Sequence, residues 1–208
     1  PRKNIREFCG KPMIAWSIGA ARESECFSRV IVSTDDAEIA EIARGHGAEV
    51  PFERPLELAH DHAATVPVIA HAVKELELSA ETPVCCLYAT APFVTTSDLQ
   101  ETQKLLSRNP GAFVLPVTTY PYPIQWALRR GSSGQVYMFD PSTAEVRSQD
   151  LDEAWHDAGQ FYWALAKSWR KYQTVFDNEA IGLPVPRYRV QDIDTLEDWD
   201  TAERMMAN

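Results

Sequence analysis

The sequence predicts an α/β fold in which a mostly parallel sheet lies between helices. Short apolar runs typical of buried strands, such as residues 29–34 and 84–88, alternate with segments of helical apolar spacing, such as residues 65–76. This alternation favours parallel strands, because a strand that returns through a helix lies parallel to the strand before it. A chain of 208 residues fits one domain, and no internal repeat divides it.

Individual elements follow from local signals. Pro12 suits the first turn of a helix that runs to about Arg22, and Gly45 and Gly47 end a second helix. We expect Ser97 to cap a later helix. That second helix covers residues 39–43, and further helices are expected over residues 65–76, 97–106, around 169 and over 196–206. Strands are expected over residues 29–34, 48–50, 84–88, 111–117, 160–164 and 188–193.

The alternation of strands and helices breaks at residues 120–157. Prolines and aromatic residues dominate the beginning of this segment, and the turn sequence from Gly131 to Gly134 is typical of a hairpin. An exposed insertion that carries Trp126 and Tyr137 suits a surface for a partner. A lid that packs on its own domain explains the same residues equally well, so both interpretations stay open.

Composition and charge limit the possible partners. Twenty basic against thirty acidic residues give a net charge of -10, which argues against binding to nucleic acid or to an anionic membrane. No apolar run reaches the length of a membrane span. The four cysteines form no Cys-x-x-Cys pair, which favours reduced thiols and a cytoplasmic location. His60, Asp61 and His62 have the chemistry of metal ligands but no third partner nearby in the sequence, so we do not favour a metal there.

Two carboxylates near the end of the chain form a candidate metal site. If residues 188–193 form a strand, Asp192 and Asp194 lie on one face about 6.5 Å apart, and Ile193 points to the other face. Such a pair suits Mg²⁺, which keeps several waters and takes further ligands from a phosphate. A structural explanation competes with this one, because Thr195 and Asp198 have the spacing of a capping box at the start of the last helix.

Five motifs that follow one another in the chain resemble those of the cytidylyltransferases that activate nonulosonic acids. Each motif is weak alone, but their common order along essentially the whole chain is specific. They are Pro1-Arg2-Lys3-Asn4-Ile5, Val32-Ser33-Thr34-Asp35-Asp36, Arg54-Pro55-x-Glu57-Leu58-Ala59-x-Asp61, Thr90-Ala91-Pro92 and Asp192-Ile193-Asp194.

Three further stretches resemble the pseudaminic acid branch of that family. They are Leu87–Phe93, Arg147–Leu151 and Ala158–Trp163. Sialic acid enzymes typically carry Gln at the place of Tyr88 and Asn at the place of Ala158, and these positions lie in the sugar site of the family. The resemblance therefore implies transfer of CMP from CTP to pseudaminic acid, with sialic or legionaminic acid as alternative substrates. A non-catalytic nucleotide-binding protein is the alternative from another class.

The resemblance also implies an architecture. It implies a Rossmann-like three-layer α/β/α nucleotidyltransferase fold, a homodimer, and an insertion at about residues 120–157 that serves for dimerisation and reaches the partner's sugar site. The first motif implies that an apolar strand and a Gly/Ser-rich phosphate loop precede Pro1.

Site residues are implied by the same resemblance, with Mg²⁺ as the cofactor. The alignment around Arg147 requires a gap, and no histidine or carboxylate is indicated as a general base. The implied sets are Lys3, Asn4, Arg54, Thr65 and Thr90 for the nucleotide, Tyr88, Arg147, Gln149, Gln160 and Tyr162 for a nine-carbon 2-keto sugar acid, Asp192 and Asp194 for the metal, and Lys3, Asp192 and Asp194 for catalysis.

Overall fold

A computed structural model describes residues 2–60, 62–177 and 179–207. The helices are α1 (Met13–Glu23), α2 (Ala37–Gly45), α3 (Thr65–Glu75), α4 (Thr96–Arg108), α5 (Ala166–Lys171) and α6 (Leu196–Met206). The strands are β1 (Glu7–Phe8), β2 (Lys11–Pro12), β3 (Pro83–Leu87), β4 (Phe113–Thr119), β5 (Leu128–Arg130), β6 (Val136–Met138), β7 (Trp155–Asp157), β8 (Phe161–Leu165) and β9 (Ala180–Pro184). Most predicted helices and strands are confirmed within a few residues.

Helices cover both faces of the central sheet, so the predicted three-layer α/β/α arrangement is confirmed. Side chains alternate along β8: Tyr162 packs with α3 and α5, whereas Phe161 and Trp163 pack with α4. All five residues of β8 are buried. Helices therefore occupy both sides of this strand.

The sheet is only partly parallel, which corrects the prediction of a mostly parallel sheet. Strand β8 lies antiparallel to both β3 and β4, and β7 also lies antiparallel to β4, whereas β9 runs parallel to β4. Strands β3, β4 and β9 therefore share one direction. The chain reverses after β4 because residues 120–154 return it without a crossover helix, and such a return produces antiparallel pairing.

A bulge separates β7 from β8 along a single edge of β4. Val117 pairs with Asp157, but Val114 pairs with Trp163, so the β7–β8 side contains three residues more than β4 between these pairs. Strand β9 occupies the opposite edge of β4. The extra residues include Gly159, whose φ of 64° requires the left-handed conformation. The bulge carries the chain from Asp157 into β8.

Three predicted strands are replaced by less regular structure. Residues 29–34 and 48–50 contribute one parallel bridge between them, from Ile31 to Glu49. The expected strand at residues 188–193 is a 3-10 turn at Arg187–Arg189 followed by an extended segment without strand pairing. Side chains bind its main-chain groups instead, because Gln160 donates to the carbonyl of Arg189 and Asp198 accepts from the amide of Asp194.

Two helix caps differ in how well they were predicted. Thr195 and Asp198 form the predicted capping box at the start of α6. Helix α4 is capped by Thr95 together with Asp98, so the prediction of Ser97 as its cap is wrong. Thr95 wins because Asp98, three residues later, completes a reciprocal pair of hydrogen bonds with it.

The two ends of the described chain meet in a small aromatic core. Phe8, from the β1–β2 hairpin, packs edge-on against Trp199 of α6 with ring centres 5.3 Å apart. Ile193 and Met13 belong to the same buried cluster. This packing brings the segment that contains Lys3 next to the segment that contains Asp194.

The expected insertion forms a small two-stranded sheet of its own, from β5 and β6. The central sheet takes the chain back at Trp155, since Thr119 pairs with Trp155 and Val117 with Asp157, so the insertion ends earlier than the predicted boundary at residue 157. Several of its large apolar side chains are exposed, including Tyr122, Val136, Tyr137 and Phe139. In the described ranges, no helix combines the length and apolar character needed to cross a membrane.

Candidate functional site

A lysine and an acidic loop form one end of the candidate site. We define the acidic loop as residues 190–195. Lys3 Nζ donates to the carbonyl oxygen of Ile193 at 2.7 Å and to Asp194 Oδ1 at 3.0 Å. Ile193 is buried while Asp192 and Asp194 are exposed, so the predicted alternation of side chains holds although no strand forms. The structure thus brings together Lys3 and Asp194, which the sequence places at opposite ends of the chain.

The capping box of α6 sets the shape of the acidic loop. Asp198 Oδ2 accepts from the amides of Thr195 at 2.8 Å and Asp194 at 3.2 Å. Hydrogen bonds from Thr195, and to a smaller extent the charge of Lys3, lower the pKa of Asp198. The capping explanation and the metal explanation are therefore compatible, because Asp198 caps the helix while Asp192 and Asp194 point to solvent.

The acidic loop has suitable oxygen donors for a hard divalent cation. The ammonium of Lys3 binds one carbonyl oxygen and one carboxylate oxygen of this loop. Among residues 2–60, 62–177 and 179–207, no group of three His, Cys, Asp or Glu side chains is arranged around a common point. A Mg²⁺ ion here would need water or phosphate for its remaining ligands, which is its usual behaviour.

Arg54 is tied to the turn that follows the Ile31 bridge. Its guanidinium donates to Ser33 Oγ at 3.1 Å and also to the carbonyl oxygen of Ser33. Partial burial lowers the pKa of Arg54, and the nearby charge of Asp35 opposes this effect. The arginine remains charged, and its orientation is fixed by two contacts to a single residue.

Four polar side chains line the end of the sheet on the α3 side; we call them the hydroxyl cluster, and they are Thr65, Tyr88, Asp157 and Tyr162. Thr65 Oγ1 and Tyr88 OH lie 2.8 Å apart. Tyr162 OH donates to Asp157 Oδ2 at 2.5 Å, and the two tyrosine rings are 5.5 Å apart at a steep angle. Burial, more than any other cause, raises the pKa of both tyrosines.

Arg189 connects the hydroxyl cluster with the acidic loop. Its carbonyl oxygen accepts from Gln160 Nε2 at 2.6 Å, and its guanidinium binds both carboxylate oxygens of Asp98, at 2.5 and 3.2 Å. Gln160 is buried, and its main-chain carbonyl accepts a hydrogen bond from the amide of Tyr88. The start of the acidic loop is thus held by the same structure that carries the tyrosines.

Sequence reasoning did not identify Ser33, Asp98, Asp157 or Arg189 as site residues. Asp157 directly precedes the stretch Ala158–Trp163, which resembles the pseudaminic acid branch, and this neighbouring stretch was the sequence signal that could have identified it. Arg189 and Asp98 lie 91 residues apart, and no local pattern indicates such a pair.

The remaining predicted residues are placed as follows. The main-chain carbonyl of Asn4 accepts from the amide of Ile14 at 2.7 Å, and Thr90 lies in the turn after β3. Arg147 pairs with Asp150 on an exposed 3-10 turn of the insertion, where Gln149 is also exposed. Within the described residues, no hydrogen bond connects Arg147 or Gln149 with the hydroxyl cluster, so their sugar-binding role stays a prediction. Asp61 of the His60–His62 stretch lies outside the described residues.

Comparison with known sequences gives consistent results. The sequence profile of the cytidylyltransferase family matches residues 1–180. The pseudaminic acid cytidylyltransferase of Campylobacter jejuni is 40% identical over 205 residues, which cover 98% of this chain and 88% of that protein. N-acylneuraminate cytidylyltransferase B of Danio rerio is 30% identical over 98% of this chain and 47% of its own length.

Solved structures agree with the fold. CMP:2-keto-3-deoxy-manno-octonic acid synthetase, solved with CTP, superposes with a TM-score of 0.68 at 13% identity and covers 99% of this chain and 91% of that one. The 4-diphosphocytidyl-2C-methyl-D-erythritol synthase of Anaerococcus prevotii gives a TM-score of 0.65 at 12% identity, over 99% of this chain and 93% of that one. At these identities the structures support the α/β nucleotidyltransferase fold alone. Because the profile of the cytidylyltransferase family matches residues 1–180, which are most of the sequence, the chain belongs to this family.

Proposed function

We propose that this chain is an enzyme that transfers CMP from CTP to the anomeric hydroxyl of pseudaminic acid and releases pyrophosphate. The structural observation that carries the proposal is the contact of Lys3 with Ile193 and Asp194, in a segment that Arg189 and Gln160 connect with the hydroxyl cluster. A cation and phosphate site next to a sugar site is what this reaction needs. The 40% identity to the Campylobacter jejuni enzyme favours pseudaminic acid as the acceptor.

The reaction joins two anions, so charge compensation is its main physical requirement. The anomeric oxygen forms a bond to the α-phosphorus of CTP and loses its proton to water, while the bond from the α-phosphorus to the α–β bridging oxygen breaks and pyrophosphate leaves. Like charges about 5 Å apart repel by roughly 3 kcal/mol at an effective dielectric of about 20. Lys3 and Arg54 are the cationic side chains that the proposal assigns to this compensation.

Lys3 exchanges partners during the reaction in our proposal. In the free protein its side chain is 44% exposed and pairs with the side chain of Asp194, which is 70% exposed. A pair this exposed is weak, so a triphosphate can draw the ammonium away. Lys3 then stabilises the departing pyrophosphate. Asp192 and Asp194 would hold Mg²⁺, which when bound orients the α-phosphate and neutralises developing charge.

Arg54 recognises the nucleotide in this proposal. Its contacts to Ser33 fix the direction of the guanidinium, and Thr65 lies at the first turn of α3, where free main-chain amides favour polar ligands. Fixing the base before the chemical step lowers the entropy cost of bringing the α-phosphorus to the sugar hydroxyl.

Sialic and legionaminic acid are the alternative acceptors, since relatives that use them also match this chain. The test is pyrophosphate release with CTP and a panel of these three sugar acids, using the protein in its full natural length. We expect the highest kcat/KM with pseudaminic acid. Equal rates with all three acids would overturn the choice of substrate, and no release with any of them would favour a non-catalytic nucleotide-binding protein.

We further propose a homodimer in the cytoplasm. The exposed aromatic surface of the insertion supports the dimer, because apolar patches of this kind mark protein contacts. Four free cysteines are typical of a reducing compartment. Light scattering at micromolar concentration should give twice the chain mass, and a monomer would contradict the proposal.

A further inference from the structure

Asp157 is a partly buried carboxylate that the predicted site residues do not include. It lies at the end of β7, immediately before the bulge, and its partner across the sheet is Val117. Antiparallel partners share a face of the sheet, so Asp157 lies on the α3 side, where Val117 and Tyr162 pack. This face carries the hydroxyl cluster.

The carboxylate of Asp157 is held on both oxygens. Tyr162 OH donates to Oδ2 at 2.5 Å, and the amide of Gly159 donates to Oδ1 at 2.8 Å. A carboxylate has about four lone-pair positions, so two acceptor positions are left. No ion pair in the described part of the chain compensates its charge, since all those found involve other acids.

Tyr162 itself is a poor candidate for direct contact with a ligand. Only 5% of the residue is exposed, and its hydroxyl hydrogen is committed to Asp157. Tyr88 is less buried than Tyr162. Burial is the main reason why the pKa of its phenol is raised, and the charge of nearby Asp157 contributes. The polar group that remains available on this side of the cluster is therefore the carboxylate of Asp157, with Tyr162 and Gly159 positioning it.

We infer that Asp157 is a specificity-determining residue of the sugar site, which accepts a hydrogen bond from an N–H or O–H donor on the sugar acid. The inference rests on the proposed function. The carboxylates of Asp157 and of the sugar acid repel each other, so the sugar carboxylate and the neighbouring anomeric carbon lie away from Asp157. The acidic loop and Lys3, beyond Gln160 and Arg189, are then the end at which the anomeric hydroxyl meets the nucleotide.

The first test compares Asp157→Asn with the matched control Glu153→Gln, an exposed acid four residues earlier. We expect Asp157→Asn to lower kcat/KM for the sugar acid about 10- to 100-fold, because hydrogen bonds to charged groups are the stronger ones. KM for CTP should stay within about twofold of the wild-type value, as we expect for binding lost at the sugar end only. Glu153→Gln should change neither value. A loss that affects CTP and sugar equally, or no loss, would overturn the inference.

The second test needs no stable variant. With the wild-type protein, sugar acid analogues are compared in which one donor at a time is removed, by exchanging an N-acylamino group for an O-acyl group or a hydroxyl for hydrogen. One analogue should lose about 10-fold in kcat/KM, because the carboxylate of Asp157 is then left without its donor. Equal rates with every analogue would contradict the inference that Asp157 accepts a hydrogen bond from a donor on the sugar acid. A wild-type protein inactive with CTP and all sugar acids would instead overturn the proposed function, and the inference with it.

Discussion

The hydroxyl cluster and the acidic loop are held in place by different means. In the hydroxyl cluster, the buried Tyr162 and the half-buried Tyr88 are fixed by core packing and by hydrogen bonds of 2.5 and 2.8 Å. In the acidic loop, Asp192 and Asp194 face solvent, and the hydrogen bonds that hold Asp194, from its amide to Asp198 and from Lys3 to its carboxylate, lie at the exposed surface. A buried polar network is pre-organised before a ligand arrives, whereas exposed carboxylates are ordered by the cation and phosphate they bind. Changes at the acidic loop should therefore affect turnover with little effect on folding, and changes behind it should affect both.

The largest expected effect is at the exposed carboxylates. Asp192→Asn or Asp194→Asn should lower kcat about 100-fold or more, because metal coordination contributes several kcal/mol to the transition state. Unfolding temperatures should stay unchanged, since both side chains are exposed. Pyrophosphate release and thermal unfolding measure the two effects. The control is Asp200→Asn, an exposed acid on α6; normal turnover in both loop variants would remove them from the reaction.

The opposite behaviour is expected behind the loop, at the pair of Arg189 and Asp98. Asp98 has a side chain only 9% exposed, and Arg189→Met leaves its carboxylate with hydrogen bonds from Thr95 alone. Because an unpaired buried charge is costly, we expect a loss of about 2–3 kcal/mol in the free energy of unfolding, measured by urea titration. Adding Asp98→Asn should recover part of the loss.

The matched control for this pair is Arg187→Met. Arg187 lies two residues earlier and donates to the carbonyl of Tyr120 at the surface. Its replacement should change the free energy of unfolding by less than about 0.5 kcal/mol. Equal losses at Arg187 and Arg189 would mean that the pair with Asp98 is not what fixes this part of the chain.

Arg54 combines features of the two regions, because it is partly buried and is also assigned to binding of the nucleotide. Arg54→Lys keeps the charge but cannot make both contacts to Ser33 with one planar group. We expect KM for CTP to rise about 10-fold while kcat/KM for the sugar acid at saturating CTP changes little. Arg108→Lys, at the end of α4, is the control. An unchanged KM for CTP would assign Arg54 a structural role only.

The predictability of these regions from sequence follows the same division. Helices such as α6 were found because capping residues and apolar spacing are local signals, and the carboxylates at Asp192 and Asp194 were found because a short motif contains them. The contact of Tyr162 with Asp157 depends on a bulge in β7 and β8, and the antiparallel direction of β8 depends on how the insertion returns the chain. Neither is encoded within a short window, so sequence reasoning named Tyr162 for the sugar site without its hydrogen bond to Asp157.

The smallest expected effect concerns the capping box that joins the acidic loop to α6. Thr195→Ala removes the side chain that caps the helix, and such a change costs about 1 kcal/mol of stability.

The folded state holds the pKa of Asp198 below its ordinary value, mainly through hydrogen bonds from Thr195. This contribution is fully present above the unfolded pKa of about 3.9 and is lost as the pH falls through the lower folded pKa. Unfolding temperatures measured from pH 7 to pH 3 should therefore fall less steeply with acid in Thr195→Ala than in the wild-type protein. Parallel pH profiles would mean that Thr195 does not hold Asp198 charged, and that the acidic loop is shaped by Lys3 and the packing of Ile193 instead.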